Sequence, residues 1–127
     1  MAGLFKRTAI EEMLHIERLA ERILFLKGEV DLAASSEVKK VHDVKEMLKL
    51  AMQMEERSAK DYNAWANECS SHADSVSKKL FELVLDEERH YDHYDTEVDN
   101  MEKFGERYLA LQSIERSKNI ASGAPRE

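Results

Sequence analysis

Glu12-Met13-Leu14-His15 and Glu87-Glu88-Arg89-His90 each place a carboxylate and an imidazole three residues apart. On a helix, positions i and i+3 lie on one face about one turn apart, so each pair can present two ligands to the same metal ion. One Glu-x-x-His is weak evidence, because both residues are common on solvated helices. Two on separate helices, with an unpaired glutamate at seam position Glu55 between them, carry more weight. A carboxylate-bridged di-metal site in a helix bundle needs two Glu-x-x-His helices and two helices carrying a single Glu. This sequence has both of the first kind and one of the second, so one ligand helix is missing.

The spacing around these motifs predicts where they point. A first helix is expected from about residue 3 to Lys27, with Gly28 as a left-handed stop. Phe5, Thr8, Glu12, His15, Leu19, Ile23 and Leu26 recur at three and four, one buried stripe. A buried carboxylate at Glu12 then needs a hydrogen-bonding partner, a proton or a metal. Met13, Ile16, Ala20 and Leu24 form a second apolar edge. It is either part of a wide core face or a face packed against another subunit.

Residues 29 to about 41 read as irregular and long for an antiparallel hairpin. Extended at ~3.3 Å per residue they reach roughly 43 Å, enough to run back along the helix and enter the next one parallel to it. The second helix is expected from about Asp43 to Cys69, with Val44, Leu48, Ala51, Glu55, Ala59, Tyr62 and Ala66 as its stripe. Ser70 to Asp74 makes a turn, with Asp74 as the next N-cap. The third helix is expected from about Ser75 to Lys103, with a stripe of Val76, Leu80, Leu83, Glu87, His90 or Tyr91, Tyr94, Val98 and Met101. In an antiparallel hairpin about position 71, Glu55 and Glu87 come to the same height, about 24 Å from the turn. Gly105 breaks the chain and Tyr108 to Arg116 forms a short terminal helix. Residues 1–118 thus make one all-α domain, three long helices and a short fourth, followed by a frayed tail at 119–127.

At 127 residues, with 43% hydrophobic and 35% charged residues, one Pro and four Gly, the composition suits long amphipathic helices. A net charge of −7 and no Lys/Arg cluster argue against nucleic acid as a partner. The lone Cys69 forms no CxxC motif or internal disulfide and is expected to have no chemical role. No apolar run approaches the ~20 residues of a membrane span, and residues 1–7 enter an amphipathic helix without a signal-peptide pattern. A cytoplasmic protein is expected.

Glutamates with neutral imidazoles suit iron, manganese or zinc better than calcium or magnesium. Glu12 and Glu87 are placed to bridge two ions, His15 and His90 to hold one each, and Glu55 to be terminal on one of them. Such a centre suits oxidation of two Fe(II) by dioxygen or peroxide. His93 pairs with His90 at i+3 but falls off the seam, and His42 and His72 fall at helix ends. Tyr62, Tyr91 and Tyr94 are read as packing residues, and Trp65 as core or interface.

Together these residues resemble bacterioferritin. The resemblance rests on Glu-Met-x-His followed by Glu21-Arg22-Ile23-Leu24-Phe25-Leu26-x-Gly28, on Asp43-Val44-x-Glu46-Met47-Leu48, and on Asp86-Glu87-Glu88-x-His90. It covers about residues 8 to 110 and implies a ferritin-like four-helix-bundle architecture. By position it makes Glu12, His15, Glu55, Glu87 and His90 ferroxidase ligands of a di-iron centre. It makes Met13, with its mate from a twofold-related subunit, the axial ligand of haem b. It further implies a hollow homo-oligomeric shell that oxidises Fe(II) and stores the ferric mineral. The family has a whole helix before the first motif, which carries the sixth ligand, whereas here eleven residues precede Glu12, and Arg7 stands where an inner-surface histidine is expected. Either the chain is shortened, or another subunit fills the gap. The three-helix remainder exposes a long apolar groove and is expected to self-associate. Two other readings use the same residues: a haem-binding or electron-transfer helical dimer built on Met13, and a purely structural helical oligomer.

Overall fold

The computed structural model describes residues 1–121, and every regular element among them is helical. Helix α1 spans Ala2–Phe25, α2 Val44–Ser71, α3 Ser75–Leu80, α4 Val84–Phe104 and α5 Glu106–Ala121. The chain is all-α, as expected from its spacing. Helix α5 is described as far as Ala121, so residues 119–121, expected in a frayed tail, are helical, and residues 122–127 of that tail lie outside the described residues.

The helix ends follow from local chemistry. Asp43 caps α2 by accepting from the Glu46 amide at 2.9 Å, and Asp74 caps α3 by accepting from the Ser77 amide at 2.9 Å. The left-handed residue that stops α1 is Lys27 (φ 64°), not Gly28 as expected. Lys27 N–H donates to Leu24 O and Gly28 N–H to Ile23 O, the paired bonds of a Schellman ending. Gly28 is needed for a different reason: a Cβ there would lie 2.8 Å from Ile23 Cγ2. The end of α2 repeats the pattern, with Ala73 left-handed (φ 57°) and Asp74 N–H donating to Cys69 O.

The long third helix expected from the sequence is broken. A 3-10 turn at Phe81–Leu83 separates α3 from α4, and Val76, expected in the buried stripe, is 61% exposed while Ser77 is buried. Ser77 is held there by its neighbours, donating its hydroxyl to Asp74 Oδ2 at 2.6 Å and accepting from Arg22 Nε at 2.8 Å.

The connection at 26–43 crosses the length of the bundle. Leu4 and Phe5 at the start of α1, and Val44 and Ala51 near the start of α2, pack against one cluster that includes Leu48. Arg22, near the end of α1, reaches Asp74 and Ser77 beyond the end of α2. The two helices are therefore parallel, and α4 runs antiparallel to both, since Tyr94 and Val98 join the same cluster as Leu48. One end of the bundle is apolar. Its middle is the acid and histidine cluster.

Candidate metal centre

Stripe spacing brings the side chains to one height. Glu12, Glu55, Glu87 and His90, from α1, α2 and α4, each offer a ligand atom, and these atoms lie within 4.8 Å of one another. His15 joins them through Nδ1, 3.4 Å from Glu12 Oε2 and 3.2 Å from Glu87 Oε1. The two imidazoles stack with centroids 6.1 Å apart. All five residues singled out as ligands in the sequence thus meet in one place. His15, Glu55, Glu87 and His90 are buried, whereas the Glu12 side chain remains 37% exposed and is less enclosed than its stripe predicts.

Four buried atoms here lack a hydrogen-bond partner: Glu12 Oε1, His15 Nδ1, Glu87 Oε1 and His90 Nδ1. His90 Nδ1 and Glu12 Oε1 are 3.0 Å apart, an ion-pair distance without hydrogen-bond geometry. Orphaned buried polar atoms are costly. That all four are possible metal donors, converging from two helices, is what a mixed nitrogen and oxygen site for a transition ion requires. The residues fit the metal that the sequence implies.

The electrostatics describe the same site from the protein's side. Burial, then the charges of Glu12 and Glu55, push the Glu87 carboxyl up to about 8. Burial pulls the His90 imidazolium down, but the carboxylates of Glu12, Glu55 and Glu11 outweigh it and push the group up to about 10. Tyr62 is pushed up to about 12, first by burial and then by Glu87, Glu12 and Glu55. The cluster holds protons that a divalent cation would displace.

Two further carboxylates, which helical periodicity does not single out, hold the outer nitrogens of the histidines. His15 Nε2 pairs with Asp86 Oδ2 at 3.1 Å, and His90 Nε2 with Glu11 Oε2 at 2.7 Å. Each imidazole therefore turns Nδ1 inward and Nε2 to an outer acid, the arrangement that fixes the tautomer of a ligating histidine. The sequence offers one cue, an acid immediately before the glutamate of both Glu-x-x-His motifs, but adjacency does not say which histidine each acid reaches. Met13, by contrast, lies outside the cluster and is 66% exposed. His42, His72 and His93 are exposed. Trp65 is 44% exposed and packs on Tyr62 and Phe81. A cleft of about 310 Å³ reaches Glu55 and Glu87 between α2 and α4, and no residue of α1 lines it.

A family model described as a ferritin-like domain matches residues 1–104. Over 110 residues the chain is 36% identical to the bacterioferritin of Brucella melitensis biotype 1, covering 85% of this chain and 68% of that protein. The chain belongs to the bacterioferritins of the ferritin-like family. A second bacterioferritin, from Rhodobacter capsulatus, is 32% identical over 112 residues, 87% of this chain and 70% of its own. Among solved structures, the X-ray structure of the Desulfovibrio desulfuricans bacterioferritin, described by its diiron site in different catalytic states, superimposes with a TM-score of 0.81. That match has 29% identity and covers 84% of this chain and 63% of the other. The bacterioferritin fold carries the cluster at the height where α1, α2 and α4 run side by side.

Proposed function

We propose that this chain is an iron-storage ferroxidase, in which Glu12, His15, Glu55, Glu87 and His90 hold two irons while Fe(II) is oxidised. The observation that carries the reading is the set of orphaned Nδ1 and carboxylate atoms converging from α1 and α4, backed by Glu55 from α2. Bound there, a pair of irons would supply the redox chemistry, with dioxygen or peroxide as the electron acceptor. The protein's share is positional. Glu12, beside both imidazoles, and Glu87, beside His15, would be the carboxylates shared by the two irons, while Asp86 and Glu11 hold the rings with Nδ1 inward. The cleft onto Glu55 and Glu87 is the side from which a further carboxylate, from another chain segment or subunit, would complete the set. A net charge of −7 favours cation approach. Assembly into a cytoplasmic homo-oligomer, a dimer at least and a shell for storage, belongs to the same reading. No helix among the described residues is long and apolar enough to cross a membrane.

A second reading has a specific observation behind it. Met13 and its neighbours Ile16 and Leu24 are exposed along one stripe of α1, where a twofold mate would bring two methionines to either side of a haem b iron. One experiment separates the readings. Fe(II) is added anaerobically, followed by oxygen, and haem uptake is followed in parallel. Oxidation of about two irons per chain, lost in Glu87→Ala, supports the ferroxidase. A Soret band lost in Met13→Ala without iron oxidation supports the haem dimer. If neither signal appears and melting is indifferent to metal, the acids only pair with bases in a structural oligomer.

A further inference from the structure

The outer carboxylates are paired crosswise. Asp86, beside Glu87 on α4, serves the histidine of α1, and Glu11, beside Glu12 on α1, serves the histidine of α4. Neither acid is buried: their side chains are 34% and 36% exposed. Left to themselves, such side chains exchange rotamers quickly and let go of the imidazoles they orient. Arg89 sits between them. Its Nη2 donates to Glu11 Oε2 at 2.6 Å and to Asp86 Oδ1 at 2.8 Å. The atoms divide without competition at Asp86, where Oδ1 takes Arg89 and Oδ2 takes His15. At Glu11 a single oxygen, Oε2, takes both Arg89 and His90.

We propose that Arg89 is a positioning residue for the metal centre: by bridging Glu11 and Asp86 it ties two helices together and holds both imidazoles with Nδ1 facing inward. The arginine touches neither histidine in this role and acts through the two acids. Its ion pairs are half-exposed, so their worth to global stability is small. Their consequence is orientation, because a ligating imidazole is only as well aimed as the group that holds its other nitrogen. The proposal rests on the metal reading above for its purpose, though not for its geometry.

The test uses Arg89→Leu, which removes the bridge, and Arg89→Lys, which keeps a cation able to donate to both acids. Solvent exchange of the His15 and His90 Nε2–H protons is measured by NMR on the metal-free protein, and Co(II) affinity by optical titration. Arg89→Leu should speed exchange at both histidines and weaken Co(II) binding about 10-fold, the low end of outer-sphere losses, with Arg89→Lys restoring most of both. Unchanged exchange and unchanged Co(II) affinity in Arg89→Leu would overturn the proposal, as would a lysine variant as defective as the leucine. Failure of the wild-type protein to bind Co(II) would count against the metal reading instead, and the exchange rates would still decide the role of Arg89.

Discussion

Glu87 and His90 hold protons against the direction that the solvent favours. Glu87 is pushed from 4.5 to about 8 by burial and by Glu12 and Glu55, and His90 from 6.5 to about 10 by its surrounding carboxylates. Between those limits the folded, metal-free protein keeps protons that the unfolded chain has released. Where the native state binds more protons, stability falls as pH rises. Glu87 acts across about pH 4.5 to 8 and His90 across about 6.5 to 10, so the losses overlap near neutrality. The metal-free protein should therefore melt at progressively lower temperature from pH 6 to pH 8.5. Zn(II) should reverse that slope, because its ligands must be deprotonated and its affinity rises with pH. Thermal melts at fixed ionic strength, with and without Zn(II), check both signs. A metal-free Tm that rises over this range would show that these two groups do not carry their protons as described.

At the scale of the element, the α1 ending separates two residues whose roles the sequence alone interchanges. Lys27 occupies the left-handed position, and Gly28 sits where a Cβ would meet the β-branched methyl of Ile23 at 2.8 Å. Lys27→Gly removes a left-handed strain of about 1 kcal/mol and should raise the urea midpoint. Gly28→Ala must push Ile23 off its rotamer, costs about 1 kcal/mol, and should lower it. The opposite ordering in urea denaturation would return the left-handed role to Gly28. The helices themselves were legible because their stripes repeat at three and four, and the buried Glu87, His90, Tyr94 and Val98 keep that step throughout α4, continuing from Leu83 at its cap. The stripe failed upstream of Leu83, where each residue of the 3-10 turn turns about 120° instead of 100°. Three such residues rotate α3 about 60° relative to α4, enough to exchange Val76 for Ser77 on the inner face. Nothing in the periodicity of Phe81-Glu82-Leu83 announces that tightening. The outer acids escaped for another reason. Periodicity places a residue on a face, but the crosswise reach of Glu11 and Asp86 depends on how two helices are juxtaposed.

For the whole molecule, the distribution of the core decides what a metal does. The buried apolar residues among those described are Leu48, Tyr62, Leu83, Tyr94 and Val98, and none of them comes from α1. What α1 buries is Thr8 and His15. It is fastened at one end by Leu4 and Phe5 against the Leu48 cluster, and near the other by Arg22 on Asp74 and Ser77. Between these fastenings it faces the others through the acid and histidine cluster. A metal that binds only the folded site stabilises it by about 2.7 kcal/mol at a hundredfold excess over Kd, and that gain falls chiefly on the helix that fully buries no apolar side chain among those described. Hydrogen exchange should then be regional. Removing metal with a chelator should speed exchange of α1 amides around residues 10–20 by ~10-fold or more, while the α2–α4 hairpin around Leu48 and Val98 changes less, as separately opening units require. Exchange that quickens equally in all three helices would mean that α1 opens only with the rest, and that the centre is a part of one cooperative core and not the clasp that closes α1 onto the hairpin.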